Sequence, residues 1–118
     1  MKKLMEQFDG TAFSDLIRSA PELDVPIDGV RGWVIGNDTH QVVFFDIQPG
    51  VEVPLHSHCA QWGMVVEGEM TLTIGDETHT YGPGAWYVIP EGTMHGAKVA
   101  KRMSVIDIFD APDRYKTK

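Results

Sequence analysis

Three histidines, a glutamine and an aspartate carry most of the chemistry that this chain can offer. His56 and His58 stand two apart in "PLHSHCAQWGMVV", Gln61 follows three positions on, and His95 lies 37 residues beyond His58 at the end of "IPEGTMH". In an extended segment, residues two apart point to the same side, so His56 and His58 can face one point. Imidazole nitrogens suit divalent iron, nickel, copper and zinc alike. His56, His58, Gln61 and His95 are therefore the candidate ligands of one divalent transition metal, with zinc, nickel, iron and manganese all open. Cys59 is the only cysteine. It permits no intrachain disulfide, and a lone thiol without a second sulfur reads as a small turn residue.

The other informative stretch is "VIDIFDAPDRY", 105–115. By alternation Asp107 shares a face with Val105 and Phe109. A carboxylate within an apolar strand needs a partner or a purpose. Either it points to solvent at a sheet edge, or it lies inside a site as a general acid or base with its pKa raised by burial. His40, in a hairpin turn, and His79, in a hydrophilic strand, read as solvated. Trp33, Trp62, Met64, Trp86 and Tyr87 could line a pocket, but residues of these types are more often core or subunit interface.

The elements that must position these groups are nearly all strands. Only residues 2–20 carry a helical signal: Leu4, Phe8, Leu16 and Ile17 have helical spacing, and Ser14 is placed to cap a short helix over "DLIRSA". "PELDVPIDG" reads as an extended lead-in. From residue 30 onward the chain alternates like β structure. "VRGWVI" and "QVVFFDI" flank Gly36-Asn37-Asp38 as a hairpin, and "VEVPL" is a short strand. "QWGMVVEGEMTLTIG" reads as two strands joined at Glu67-Gly68, with Met70, Leu72 and Ile74 on a dry face. "AWYVIP" and "AKVAKRMSVIDIF" supply the rest. Short strands with no helix between them predict an all-β sandwich or barrel. The expected organisation is a lead-in over 1–29, a barrel over 30–110 and a tail over 111–118.

These residues resemble the two motifs of the cupin superfamily. Gly50, five residues, His56-Ser57-His58, Gln61, six residues and Gly68 fill the first motif. Gly84, five residues, Pro90-Glu91-Gly92, two residues and His95 fill the second. Glutamine stands where the commoner pattern has glutamate, the His58–Gln61 spacing is one short, and Val99 stands where the second motif has asparagine. The resemblance implies a double-stranded β-helix, or jelly-roll barrel, with the four ligands converging in its mouth. It gives Gly50, Gly68 and Gly84 a role at barrel corners that favour φ > 0. The tail is similar to the "D-V-F-x-x-P-R" tail of small cupins that open the ring of unsaturated uronate sugars. In that comparison Asp107 takes a catalytic position, Phe109 lines the pocket and Arg114 is the nearest match to a substrate-binding arginine. Zinc-dependent polyketide cyclases are a second resemblance for a site with glutamine.

A net charge of −7 argues against nucleic acid as a partner, because phosphate binding needs a basic surface. No apolar run approaches a membrane span, and the start has a basic tip without the apolar region of a signal peptide, so cytoplasm is the expected location. Three neutral imidazoles and a neutral amide would leave the full +2 charge of an ion uncompensated, which favours Lewis-acid chemistry on an anionic molecule. The reading is an isomerase-, lyase- or ring-opening-type enzyme on a small anionic or sugar-like substrate. A metal-dependent dioxygenase and a non-catalytic sugar-binding or sensing cupin are the alternatives. Strands apolar on both faces, such as "WGMVV", predict a homodimer, with the segment before residue 30 as a clasp.

Overall fold

From Val30 onward the alternating apolar and polar residues form seven strands in the computed structural model, which describes residues 11–118. The strands are β1 (Val30–Gly36), β2 (Gln41–Ile47), β3 (Glu52–His56), β4 (Gln61–Ile74), β5 (Glu77–Tyr81), β6 (Trp86–Ile89) and β7 (His95–Phe109). All pairings are antiparallel. β1 and β2 form the expected hairpin, closed by Asn37, whose Oδ1 accepts the Thr39 and His40 backbone N–H groups at 2.8 Å.

The "QWGMVVEGEMTLTIG" stretch is one strand, not two, and "AKVAKRMSVIDIF" likewise lies within a single strand. β4 and β7 run beside each other from Gln61↔Phe109 to Ile74↔His95, with register shifts between Val65 and Met70. Gly68 lies in that bulge at φ +88, and a Cβ there would run into the backbone of Arg102 and Met103. A bulge with a left-handed glycine bends a strand without ending it. β4 and β7 therefore turn a corner together and pass from one half of the barrel to the other. One half holds β1, β2 and β6, paired to the Gln61 end of β4 and the Phe109 end of β7. The other holds β3 and β5, paired to the His95 and Ile74 ends. The bend brings both ends of the long ladder back to one mouth, which neither strand could do if straight.

The core lies between the halves, on Val43, Phe45, Val65, Met70, Leu72, Val99, Met103 and Val105. The helical signal before the barrel is realised only as the four-residue α1 (Asp15–Arg18); Leu4 and Phe8 lie outside the described residues. Ser14 stands at the N-cap but makes no side-chain cap, and Leu16 is 84% exposed. A single turn has too few backbone bonds to hold an apolar face against the barrel. Residues 22–24 lie along the barrel edge: Leu23 N–H donates to Gly32 O, Asp24 N–H to Lys116 O, and Lys118 N–H to Glu22 O. Among the described residues no helix is long and apolar enough to cross a membrane.

Candidate metal centre and cavity

His56 ends β3, His95 opens β7, and His58 lies in the loop that leads into β4. Antiparallel pairing sets His56 opposite His95, and the three rings cluster with centroids 4.2–5.1 Å apart. Each ring donates its Nδ1 hydrogen to a backbone carbonyl: His56 to Pro54 O at 2.8 Å, His58 to Cys59 O at 2.7 Å, and His95 to Thr93 O at 2.9 Å. A carbonyl can only accept, so each neutral ring carries its hydrogen on Nδ1 and its lone pair on Nε2. This is the outer-shell arrangement that orients metal-ligating histidines.

The ligating atoms of the three rings lie within 4.8 Å of one another, and the Nε2 atoms of His58 and His95 are 3.0 Å apart. Two nitrogens bonded to one ion at about 2.1 Å would lie about 3.0–3.4 Å apart for right-angle to tetrahedral geometry. Lone pairs so placed need a cation between them. A proton serves poorly. Burial pulls the His58 pKa down to about 4 and that of His95 below its ordinary value; for both, the Arg114 charge adds to the effect. The residues thus fit a divalent transition metal. Cys59 contributes its carbonyl to His58, while burial pushes its thiol pKa up and keeps the weaker ligand form.

Gln61 and Asp107 meet across the β4–β7 ladder. Gln61 Nε2 donates to Asp107 Oδ1 at 2.8 Å, and the Tyr87 hydroxyl donates to the same oxygen at 2.6 Å. Asp107 is 4% exposed and lines the cavity, so the solvent-facing alternative does not hold. Burial raises its pKa to about 6, and the bonds from Tyr87 and Gln61 hold it from rising further. Burial and the facing carboxylate keep Tyr87 protonated, its pKa well above the ordinary value. One amide N–H of Gln61 thus bonds Asp107, and the carbonyl oxygen is the atom of this side chain with lone pairs for a cation. The sequence offered Tyr87 as a pocket-lining, core or interface residue and gave no sign of its bond to Asp107; it lines the cavity. Gly63, opposite both Tyr87 and Asp107, makes room for them: a Cβ there would strike the Asp107 carboxylate and the Tyr87 ring.

Phe109 is buried and packs on His58 with ring centroids 5.6 Å apart. Arg114 stacks over Tyr115 at 4.4 Å and also lines the cavity. Its Nε is buried without a hydrogen-bond partner. Gln41, a residue the sequence did not single out, fixes this tail. Its buried amide donates to Tyr115 O at 3.0 Å and accepts Tyr115 N–H at 2.9 Å, acting as a one-residue strand partner. His40 and His79 lie on the outside, as expected of solvated residues.

The histidines, Gln61, Asp107, Phe109 and Arg114 all border one cavity of about 340 Å³ inside the barrel. Residues 43–109 match the Cupin domain family. A KdgF from Halomonas sp. is 28% identical, with a TM-score of 0.73 over 82% of this chain and 92% of that one. An RmlC-like cupin from Shewanella frigidimarina is 25% identical, with a TM-score of 0.73 over 93% of this chain and 96% of that one. The Bacillus subtilis oxalate decarboxylase, whose Mn(II) centres have been characterised, shares the fold at 19% identity and a TM-score of 0.70; the match covers 82% of this chain and 29% of that one. None of the curated proteins matches this chain.

Proposed function

The chain belongs to the cupin family, and from that premise we propose that it is a metal-dependent enzyme doing redox-neutral chemistry on a small anionic molecule. The convergence of three Nε2 lone pairs, each fixed by an Nδ1 hydrogen bond to the backbone, carries the reading. His56, His58 and His95 would hold the ion, with the Gln61 carbonyl oxygen as fourth ligand. A bound divalent ion supplies Lewis-acid polarisation of a substrate carbonyl or hydroxyl. Asp107, buried at the cavity wall, takes or returns the proton. Arg114, stacked over Tyr115 at the cavity wall, supplies the positive charge that attracts an anionic group, and Phe109 packs against the substrate beside His58. Likeness to KdgF and the tail's resemblance to ring-opening cupins support isomerase-, lyase- or ring-opening-type chemistry over oxidation. Elemental analysis of protein purified without a histidine tag tests the reading. About one divalent ion per chain is expected, lost in His56→Ala and His95→Ala. No ion in fresh protein, and none after incubation with zinc, nickel, iron or manganese, would end it.

The same chain is proposed to pair as a homodimer through the outer face of the β6–β4–β7 half. Trp86 (62% exposed), Val88 (52%) and Ile108 (36%) stand there beside Trp62 and Met64, in register across three strands. A contiguous apolar sheet face of this kind marks an interaction surface. Residues 22–24 of the lead-in bond to their own chain, and the segment before residue 30 remains the proposed clasp beside this sheet face.

A further inference from the structure

We propose that the molecule this site takes is amphiphilic: one oxygen-bearing, anionic head at the histidines and Arg114, and an apolar, largely unhydroxylated body of roughly ten non-hydrogen atoms or fewer. The head-group half rests on the metal reading above, whereas the apolar half rests on the cavity alone. Depth along the strands separates the two halves. The polar lining residues cluster near the mouth, where Gln61, Phe109 and His95 end their strands and Asp107 is two residues further in. Beyond Asp107 the inward positions are Val105 and Met103 on β7, Ile47 on β2, and Met70 and Leu72 with Val99 on the other half. All six are buried and all line the cavity.

Part of the hydrogen-bonding capacity near the mouth is already taken. The three Nδ1 atoms are bonded to backbone carbonyls. The Gln61 amide N–H and the Tyr87 hydroxyl are bonded to Asp107. The strand backbones are paired in their ladders. The positive charge of Arg114, stacked over Tyr115 at the cavity wall, is what draws a ligand anion to this end. A sugar acid brings several hydroxyls, and each one carried beyond Asp107, where the lining side chains are apolar, would lack a partner and weaken binding. An apolar body loses nothing on entering such a wall and gains with each group removed from water. At ~30 Å³ per water-sized group, the 340 Å³ cavity holds roughly ten.

A chain-length series tests this. Acetate, butanoate, hexanoate and octanoate, with galacturonate beside them, are titrated calorimetrically into zinc-loaded protein and into protein treated with chelator. Affinity should rise about fourfold per methylene through hexanoate, with one site per chain, and octanoate should bind at least tenfold more tightly than galacturonate. Val99→Phe, which fills the far end of the cavity, should weaken octanoate at least tenfold and leave acetate binding and zinc stoichiometry unchanged. A flat chain-length series, or galacturonate binding as tightly as octanoate, overturns the inference without recourse to the variant. The metal reading fails separately: a rising series in protein that takes up no zinc supports the apolar body and refutes only the metal-bound head.

Discussion

Removing the Tyr87 hydroxyl should destabilise the metal-free protein in a pH-dependent way. In Tyr87→Phe the buried Asp107 loses its 2.6 Å donor and keeps only Gln61. Burial lifts the Asp107 pKa from 3.8 to about 6. Because the folded value is raised, its contribution to stability is fully present below about pH 3.8 and is lost as pH rises through about 6. That difference corresponds to about 3 kcal/mol at neutral pH. Tyr87 limits this loss by bonding the charged carboxylate, so its removal should carry the folded pKa higher still. A hydrogen bond to a charged group contributes about 1.5–3 kcal/mol, and one between neutral groups about 1 kcal/mol. The variant should therefore lose about 1 kcal/mol at pH 4 and about 2–3 kcal/mol at pH 8. For a domain of this length that is a fall in Tm of about 4 °C and about 8–12 °C respectively. Urea and thermal unfolding of chelator-treated protein at the two pH values, repeated in an Asp107→Asn background, measure it. A cost equal at both pH values, or a pH dependence that survives Asp107→Asn, would refute the reasoning.

Gln61→Glu should retain the ion, and its activity should fall because Asp107 then shares a proton with a second carboxylate and no longer exchanges it independently. The new carboxylate would face Asp107 where an N–H now donates, and two carboxylates in contact cannot both ionise. Zinc affinity in this variant should therefore depend more steeply on pH than in the native protein, as a competition titration would show. Asp107→Asn should keep the metal and the fold while turnover drops about 10²–10⁴-fold, the usual weight of a proton-transfer step. Steady-state rates measured without oxygen and with zinc or nickel are the check; an oxygen-consuming, iron-dependent activity that survives Asp107→Asn would replace this mechanism with a dioxygenase. Light scattering at micromolar concentration should give twice the chain mass, and Val88→Glu with Trp86→Glu should halve it; a native monomer would count against the shared sheet face.

Period-two patterning and the spacing of glycines and histidines set much of this protein in advance. Alternation placed Asp107 on one face with Val105 and Phe109, and all three are buried together. Gly50, Gly68 and Gly84 all have φ near +85 to +88, as their place at corners required. His56 and His58 were readable as a pair because an extended backbone repeats every two residues. Local pattern reports only which face a residue takes, not which distant strand lies opposite. Gln61 and Asp107 are 46 positions apart, and Gln41 and Tyr115 are 74 apart. Their hydrogen bonds depend on register between strands, which no window of sequence contains. The same holds for Tyr87, read as an ordinary aromatic until the β4–β6 and β4–β7 ladders set it and Asp107 on opposite sides of Gly63. Glu67-Gly68 looked like the end of a strand because glycine breaks local patterns. Its ladder partners hold β4 continuous through the bend, and that bend brings His95, at one end of β7, to His58 and Phe109 at the other.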